Sequence, residues 1–152
     1  SVKGIWFMSG ETDTTKEAGL ELPEAPSRWT YEAYVIVGGD SFPTGVFFSP
    51  AAADGMNEYG DPNQPMPTYP FPGENFQRDP ETGDPLNLDL RGAEVLVEVI
   101  PPVPAYSQKP FTLEIFNGTI PNDADINTTY QLTNNGNTFP GGTATLVIKL
   151  FE

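Results

Sequence analysis

The sequence contains neither cysteine nor histidine, and it sets only seven lysines and arginines against 21 aspartates and glutamates in 152 residues, a formal net charge of -14. Each scarcity removes a class of chemistry. Without His and Cys there is no Ser-His-Asp triad, no thiol nucleophile, no ordinary zinc or copper site and no c-type haem attachment. Seven scattered cations form no basic stripe, which argues against a nucleic-acid partner and against an anionic membrane surface. No apolar run approaches the ~20 residues needed to span a bilayer. What remains is oxygen chemistry by carboxylates.

Hydrophobic residues make up 38% of the chain and aromatics 12%, a globular rather than a disordered composition. The length fits a single domain over residues 1–152, large enough for a core without covalent staples. The opening Ser1-Val2-Lys3-Gly4, without Met, is expected of a processed or trimmed product. Fifteen glycines and 17 prolines interrupt every helical apolar period within three turns, so helix is expected to be minor. Period-2 segments recur instead. Gly4 to Met8 is a short aromatic strand. Trp29 to Val37 alternates Trp29, Tyr31, Ala33, Val35 and Val37 against Thr30, Glu32, Tyr34 and Ile36, and Glu32 marks the second set as the solvent side. Gly38-Gly39-Asp40 turns into a returning arm over Pro43 to Ser49. Ala93 to Ile100 sets Val95, Val97 and Val99 against Glu94, Leu96 and Glu98, and stops at Pro101-Pro102. Phe111, Leu113 and Ile115 alternate before a turn at Asn117-Gly118. Thr129 to Leu132 precedes a polar turn over Thr133 to Asn137, and Thr143 to Phe151 is the final strand. About seven such strands predict an all-β, antiparallel β-sandwich.

Residues 50–92 form the exception, because a connection much beyond ~12–15 residues is usually functional or disordered. The interval holds eight of the 17 prolines and eight acidic residues against Arg78 and Arg91. It also carries Met56, Tyr59, Met66, Tyr69, Phe71 and Phe76, more large apolar groups than a linker has. The expectation is an ordered Pro-rich flap over one edge or end of the sandwich.

The succession Gly4-Ile5-Trp6-Phe7-Met8, Leu20-Glu21-Leu22-Pro23, Trp29 to Ile36 and Pro43-Thr44-Gly45-Val46-Phe47 resembles the extracytoplasmic β-domain of anti-sigma-K-type factors. Exported bacterial proteins related to that domain are more similar still, through Phe71-Pro72-Gly73-Glu74-Asn75-Phe76, Val97-Glu98-Val99-Ile100-Pro101, Pro110 to Leu113, Gly118 to Pro121 and Phe139 to Leu146. The resemblance implies a β-sandwich outside the cytoplasm: secreted, periplasmic or at the cell surface. The sigma-binding helical segment and membrane span that precede the β-domain in that family have no counterpart among these residues, so transcriptional regulation is not carried over. No catalytic residue is supplied either.

Four site readings follow from the residues. Glu74, Asp79, Glu81 and Asp84, with the Asn122 to Asn127 run, offer the oxygens that Ca²⁺ requires, although the Gly and acid spacing is not that of an EF-hand. The competing reading is that Asp, Asn, Pro and Gly are turn residues. Glu94 and Glu98 share a strand face, but four residues at roughly 3.3 Å each separate them by about 13 Å, beyond the roughly 5–9.5 Å of glycosidase pairs. They read as a solvated face, and the chain as no enzyme; a cross-strand carboxylate pair stays open. Trp6, Trp29, Tyr59, Tyr69, Phe71 and Phe76 could stack on a glycan, or simply pack. Both ends of the chain, Ile5 to Met8 and Leu146 to Phe151, are apolar strands able to add to an edge. Asn117-Gly118-Thr119 and Asn127-Thr128-Thr129 match a glycosylation pattern and read as turn residues. The expectation is thus a non-enzymatic exported structural or interaction module, self-assembling or docking to a cell-surface complex through Tyr59, Tyr69, Phe71 and Phe76. A calcium-dependent ligand- or carbohydrate-binding domain is the alternative, and a cell-envelope sensor the third reading. The acidic excess is spread evenly, with seven acids before Pro50, eight in the flap and six after Gly92, and acts as a solubility device.

Overall fold

The computed structural model describes residues 3–9, 17–25, 27–54, 56–63, 69–101 and 113–136. Among them the regular elements are strands: β1 (Gly4–Trp6), β2 (Met8–Ser9), β3 (Glu17–Ala18), β4 (Thr30–Val37), β5 (Asp40–Phe47), β6 (Gly73–Asn75), β7 (Glu94–Ile100), β8 (Glu114–Thr119) and β9 (Thr133–Asn134). Every pairing among the described strands is antiparallel, and the chain is all-β as its period-2 patterning predicts. A five-stranded sheet runs in the order β5-β4-β7-β8-β9, and β1-β6 and β2-β3 form two small sheets. No described helix is long and apolar enough to cross a membrane.

The β4–β5 hairpin closes at Val37 opposite Asp40 through Gly38 and Gly39, at φ 63° and 97°. Positive φ at both central residues is the two-residue turn whose twist matches its flanking strands. The sheet face carrying Tyr31, Ala33, Phe47, Val95, Val97 and Phe116 receives Phe7 and Leu20 in one buried cluster. Val35, on the same face, joins Tyr59, Phe76, Leu88 and Leu90 in a second, and Ile5 packs against both. The short strands and the flap thus form a layer on the five-stranded sheet, which is how its apolar face leaves water. The Tyr31 hydroxyl, directed into that layer, donates to the Pro23 carbonyl at 3.0 Å.

Several sequence expectations shift. Asn117 and Gly118 are not a turn: they lie within β8, opposite Leu96 and Val95. The Leu132 side chain occupies the space beside Gly118, where a Cβ would come within 2.7 Å of it. The next strand is accordingly Thr133–Asn134, where a polar turn was expected, and 129–132 lead into it. The larger correction concerns the second face of the sheet. Glu32, Tyr34, Leu96 and Glu98 were expected on the solvent side, yet Glu32, Tyr34 and Glu98 are 0% exposed and Leu96 3%. A sheet covered on both faces loses its alternation, and a single Glu is then a false marker of solvent. Glu94, opposite Ile36 near the strand end, is exposed. The expected final strand over 143–151 lies outside the described residues.

Candidate functional site

Two groups of buried carboxyls define the chemistry of the described chain. In the first, β4 and β7 place Glu32 directly opposite Glu98. Side chains facing each other across an antiparallel pair have Cβ atoms about 4.5–5.5 Å apart. The open cross-strand alternative is therefore the one observed, with Glu32 as the partner and Glu94 uninvolved. Glu114 on β8 stands opposite Glu98 on its other side, so three carboxylates follow one another across three strands. Thr44 lies in the β5 irregularity beside the same row, two residues from Val46, which faces Glu32. Both Glu32 oxygens and the Thr44 Oγ1 are buried with no hydrogen-bond partner. Burial pushes the Glu32 carboxyl up to about 7; the Tyr34 hydroxyl pulls it down, and the Glu98 charge adds to the rise.

The second group folds the flap onto β6. Asp54 Oδ1 accepts the Met56 N–H at 2.8 Å and Oδ2 the Gly73 N–H at 2.9 Å. Glu74 Oε1 accepts the Asn75 N–H at 2.8 Å and Oε2 the Glu58 N–H at 3.0 Å. These carboxyls satisfy backbone donors in a segment with little ladder of its own. Gly45, at φ 135°, makes the approach of Asp54 feasible, since a Cβ there would lie 2.6 Å from the Asp54 Cγ. Burial pushes Glu74 up to about 7 against the pull of its backbone donors, with Asp54 adding a smaller rise. Asp54 is raised for the same first reason, and its bonds to Gly73 and Met56 oppose it. Burial, then the charges of Glu58, Glu74, Asp79 and Glu81, push the neighbouring Tyr59 phenol up to about 12.

The expected calcium ligands are not brought to one point. Glu74 is 1% exposed and engaged as above. Asp79 Oδ1 instead accepts the N–H groups of Glu81 and Thr82, at 2.8 and 3.0 Å, and the Asp79 and Asp84 backbones close the turn around Gly83 at φ 74°. Glu81 and Asp84 point to solvent. Among the described residues no three acidic side chains converge as a metal site.

The expected aromatic interaction surface is likewise mostly interior, because residues that anchor a loop to a core leave the surface. Phe71 and Phe76 are 0% exposed and Tyr59 7%. Tyr59 packs on Phe76 at 5.2 Å between ring centroids, with Phe42 against both. Tyr69 is half-buried, stacked on Phe71 at 5.2 Å and met by the edge of Trp6 at 4.6 Å. Among the described residues, the large apolar side chains that face solvent are Phe48, Ile126 and Tyr130. The last two share the loop after β8, where the Asp125 N–H donates to the Tyr130 hydroxyl at 3.0 Å and Asn127 holds a φ of 58°. Sequence reasoning read this loop only as turn and oxygen donors; its signal was an isolated Ile inside a polar run.

No protein-family model matches the chain, and no curated protein or solved structure matches it either.

Proposed function

We propose that the chain is a non-enzymatic structural or interaction module that works outside the cytoplasm, self-associating or docking on a larger surface complex through apolar side chains rather than carboxylates. The observation that carries this reading is the exposure of Ile126, Tyr130 and Phe48 on a chain of net charge -14. Exposed apolar groups on a strongly charged body gain most from a specific contact, whereas the charge repels random ones. The extracytoplasmic placement rests on the resemblance to exported β-domains. Its calcium-dependent alternative draws less support, since Asp54, Glu74 and Asp79 already use oxygens on backbone N–H groups.

The test is sedimentation equilibrium from micromolar to near-millimolar protein at two salt concentrations. Mass is expected to rise with concentration, and more steeply at high salt, which screens the like charges. The Ile126→Ser, Tyr130→Ser double variant should lower that association while shifting stability by less than about 1 kcal/mol, as exposed loop substitutions do. A monomer mass throughout, in both salts, would overturn self-association by this loop.

A further inference from the structure

We propose that Asn127 is an acceptor for an N-linked glycan, and that Asn117, which carries the same three-residue pattern, is not. Each asparagine stands two residues before a threonine, in Asn117-Gly118-Thr119 and Asn127-Thr128-Thr129. Their places in the fold separate them. Asn117 is half-buried within β8, opposite Leu96 on one side and Thr133 on the other, and its side-chain amide donates to Glu114 at 3.4 Å. A transferase has to draw its acceptor segment into its own cleft, and a strand paired on both sides is closed to it. The loop after β8 is the opposite setting. Every residue from 125 to 130 is exposed, and none belongs to a strand or helix. Asn127 sits in a turn at φ 58°, a left-handed conformation that Asn tolerates better than most side chains. That backbone accounts for an asparagine but not for its neighbours. Thr129 completes the acceptor pattern, and Asp125 supplies the carboxylate that bacterial acceptor sequences carry two residues before the asparagine; Asn117 has Ile115 at that place.

The step is a displacement at a sugar carbon. The Asn127 side-chain nitrogen bonds to C1 of an oligosaccharide carried on a polyprenyl diphosphate. The C1–O bond to the diphosphate breaks, its electron pair leaves on that oxygen, and the amide gives one proton to a base of the transferase. Such transfer takes place outside the cytoplasm, so modification in the cell rests on the placement proposed above. Ile126 adjoins the acceptor, and the Tyr130 hydroxyl, which accepts the Asp125 N–H, closes the loop around it. An attached glycan covers these exposed apolar side chains, so the modified chain is expected to self-associate less than the bare one.

The experiment incubates the purified, folded chain with a bacterial oligosaccharyltransferase and a lipid-linked oligosaccharide, then maps peptide masses. Glycan mass is expected on the peptide that contains Asn127 and not on the one that contains Asn117. Asn127→Asp, which suits the same backbone, should abolish the modification, and Asp125→Ala should lower it at least tenfold; both lie in an exposed loop. Bare Asn127, or equal occupancy of the two asparagines, would overturn the proposal. Because the chain is supplied purified, this result does not depend on where it resides; a wrong placement would appear instead as bare Asn127 only in material from the native source.

Discussion

The midpoint of thermal unfolding is expected to fall by roughly 10 °C between about pH 5 and about pH 8, the reverse of the common rise through the acid range. Glu32 and Glu74 each sit at about 7 in the folded chain against an ordinary 4.5. A carboxyl raised on folding binds its proton more tightly in the native state. Its contribution to stability is therefore complete below about 4.5 and is lost as pH rises through about 7. A displacement from 4.5 to about 7, if wholly shielded, corresponds to about 3 kcal/mol per group; allowing for solvent screening, about 2 kcal/mol each is reasonable. At about 2–4 °C per kcal/mol for a chain of this size, the two together give the stated fall. Asp54 is displaced in the same direction. Asp61, lowered by its hydrogen bond to Arg78, acts the other way but titrates below this window. General repulsion in a chain of net charge -14 also grows with pH. The Glu32→Gln, Glu74→Gln double variant separates the causes: it should flatten most of the slope, whereas general repulsion would leave the slope intact.

Glu74→Ala is expected to cost about 3–4 kcal/mol in urea unfolding, the largest effect of any single acidic residue in the flap. The side chain accepts the Glu58 and Asn75 N–H groups from a position 1% exposed. Truncation leaves both donors without an acceptor, at about 1–3 kcal/mol each, and opens a void beside them. The loss should spread into the flap, because the Glu58 bond holds Tyr59, whose carbonyl in turn accepts the Gln77 and Arg78 N–H groups and whose ring packs on Phe76. Glu81→Ala, at an exposed position in the neighbouring turn, should stay within about 0.5 kcal/mol of wild type. Equal costs for the two variants would contradict the role assigned to Glu74.

The strand framework was legible because β-branched and aromatic alternation is a local property, visible at Trp29 to Val37 and Glu94 to Ile100, and because Gly38-Gly39 has little use except a tight turn. Register beyond the first hairpin was not. Asn117-Gly118 carries turn chemistry, and only the tertiary demand for room beside Leu132 puts that glycine in a strand. The aromatics of the flap misled about the surface, since sequence alone does not say whether a Pro-flanked ring points in or out. Glu32 and Glu98 failed for a related reason. Their pairing depends on the register of β4 against β7, strands 57 residues apart between Val37 and Glu94, and no spacing rule along the chain encodes it. The acids of the flap looked like ligands because carboxylates that cap backbone N–H groups and carboxylates that bind Ca²⁺ are drawn from the same residues.

The central claim is that the unusual acids of this chain, Glu32, Glu74 and Glu98, are interior parts of the fold. Carboxyl footprinting with a water-soluble carbodiimide and mass spectrometry tests it most directly on the native protein. Glu32, Glu74 and Glu98 should remain unlabelled while the exposed Glu24, Glu81 and Glu94 react freely. Labelling of Glu32 and Glu98 at the rate of Glu94 would contradict the account, since it would place that face of the sheet in water.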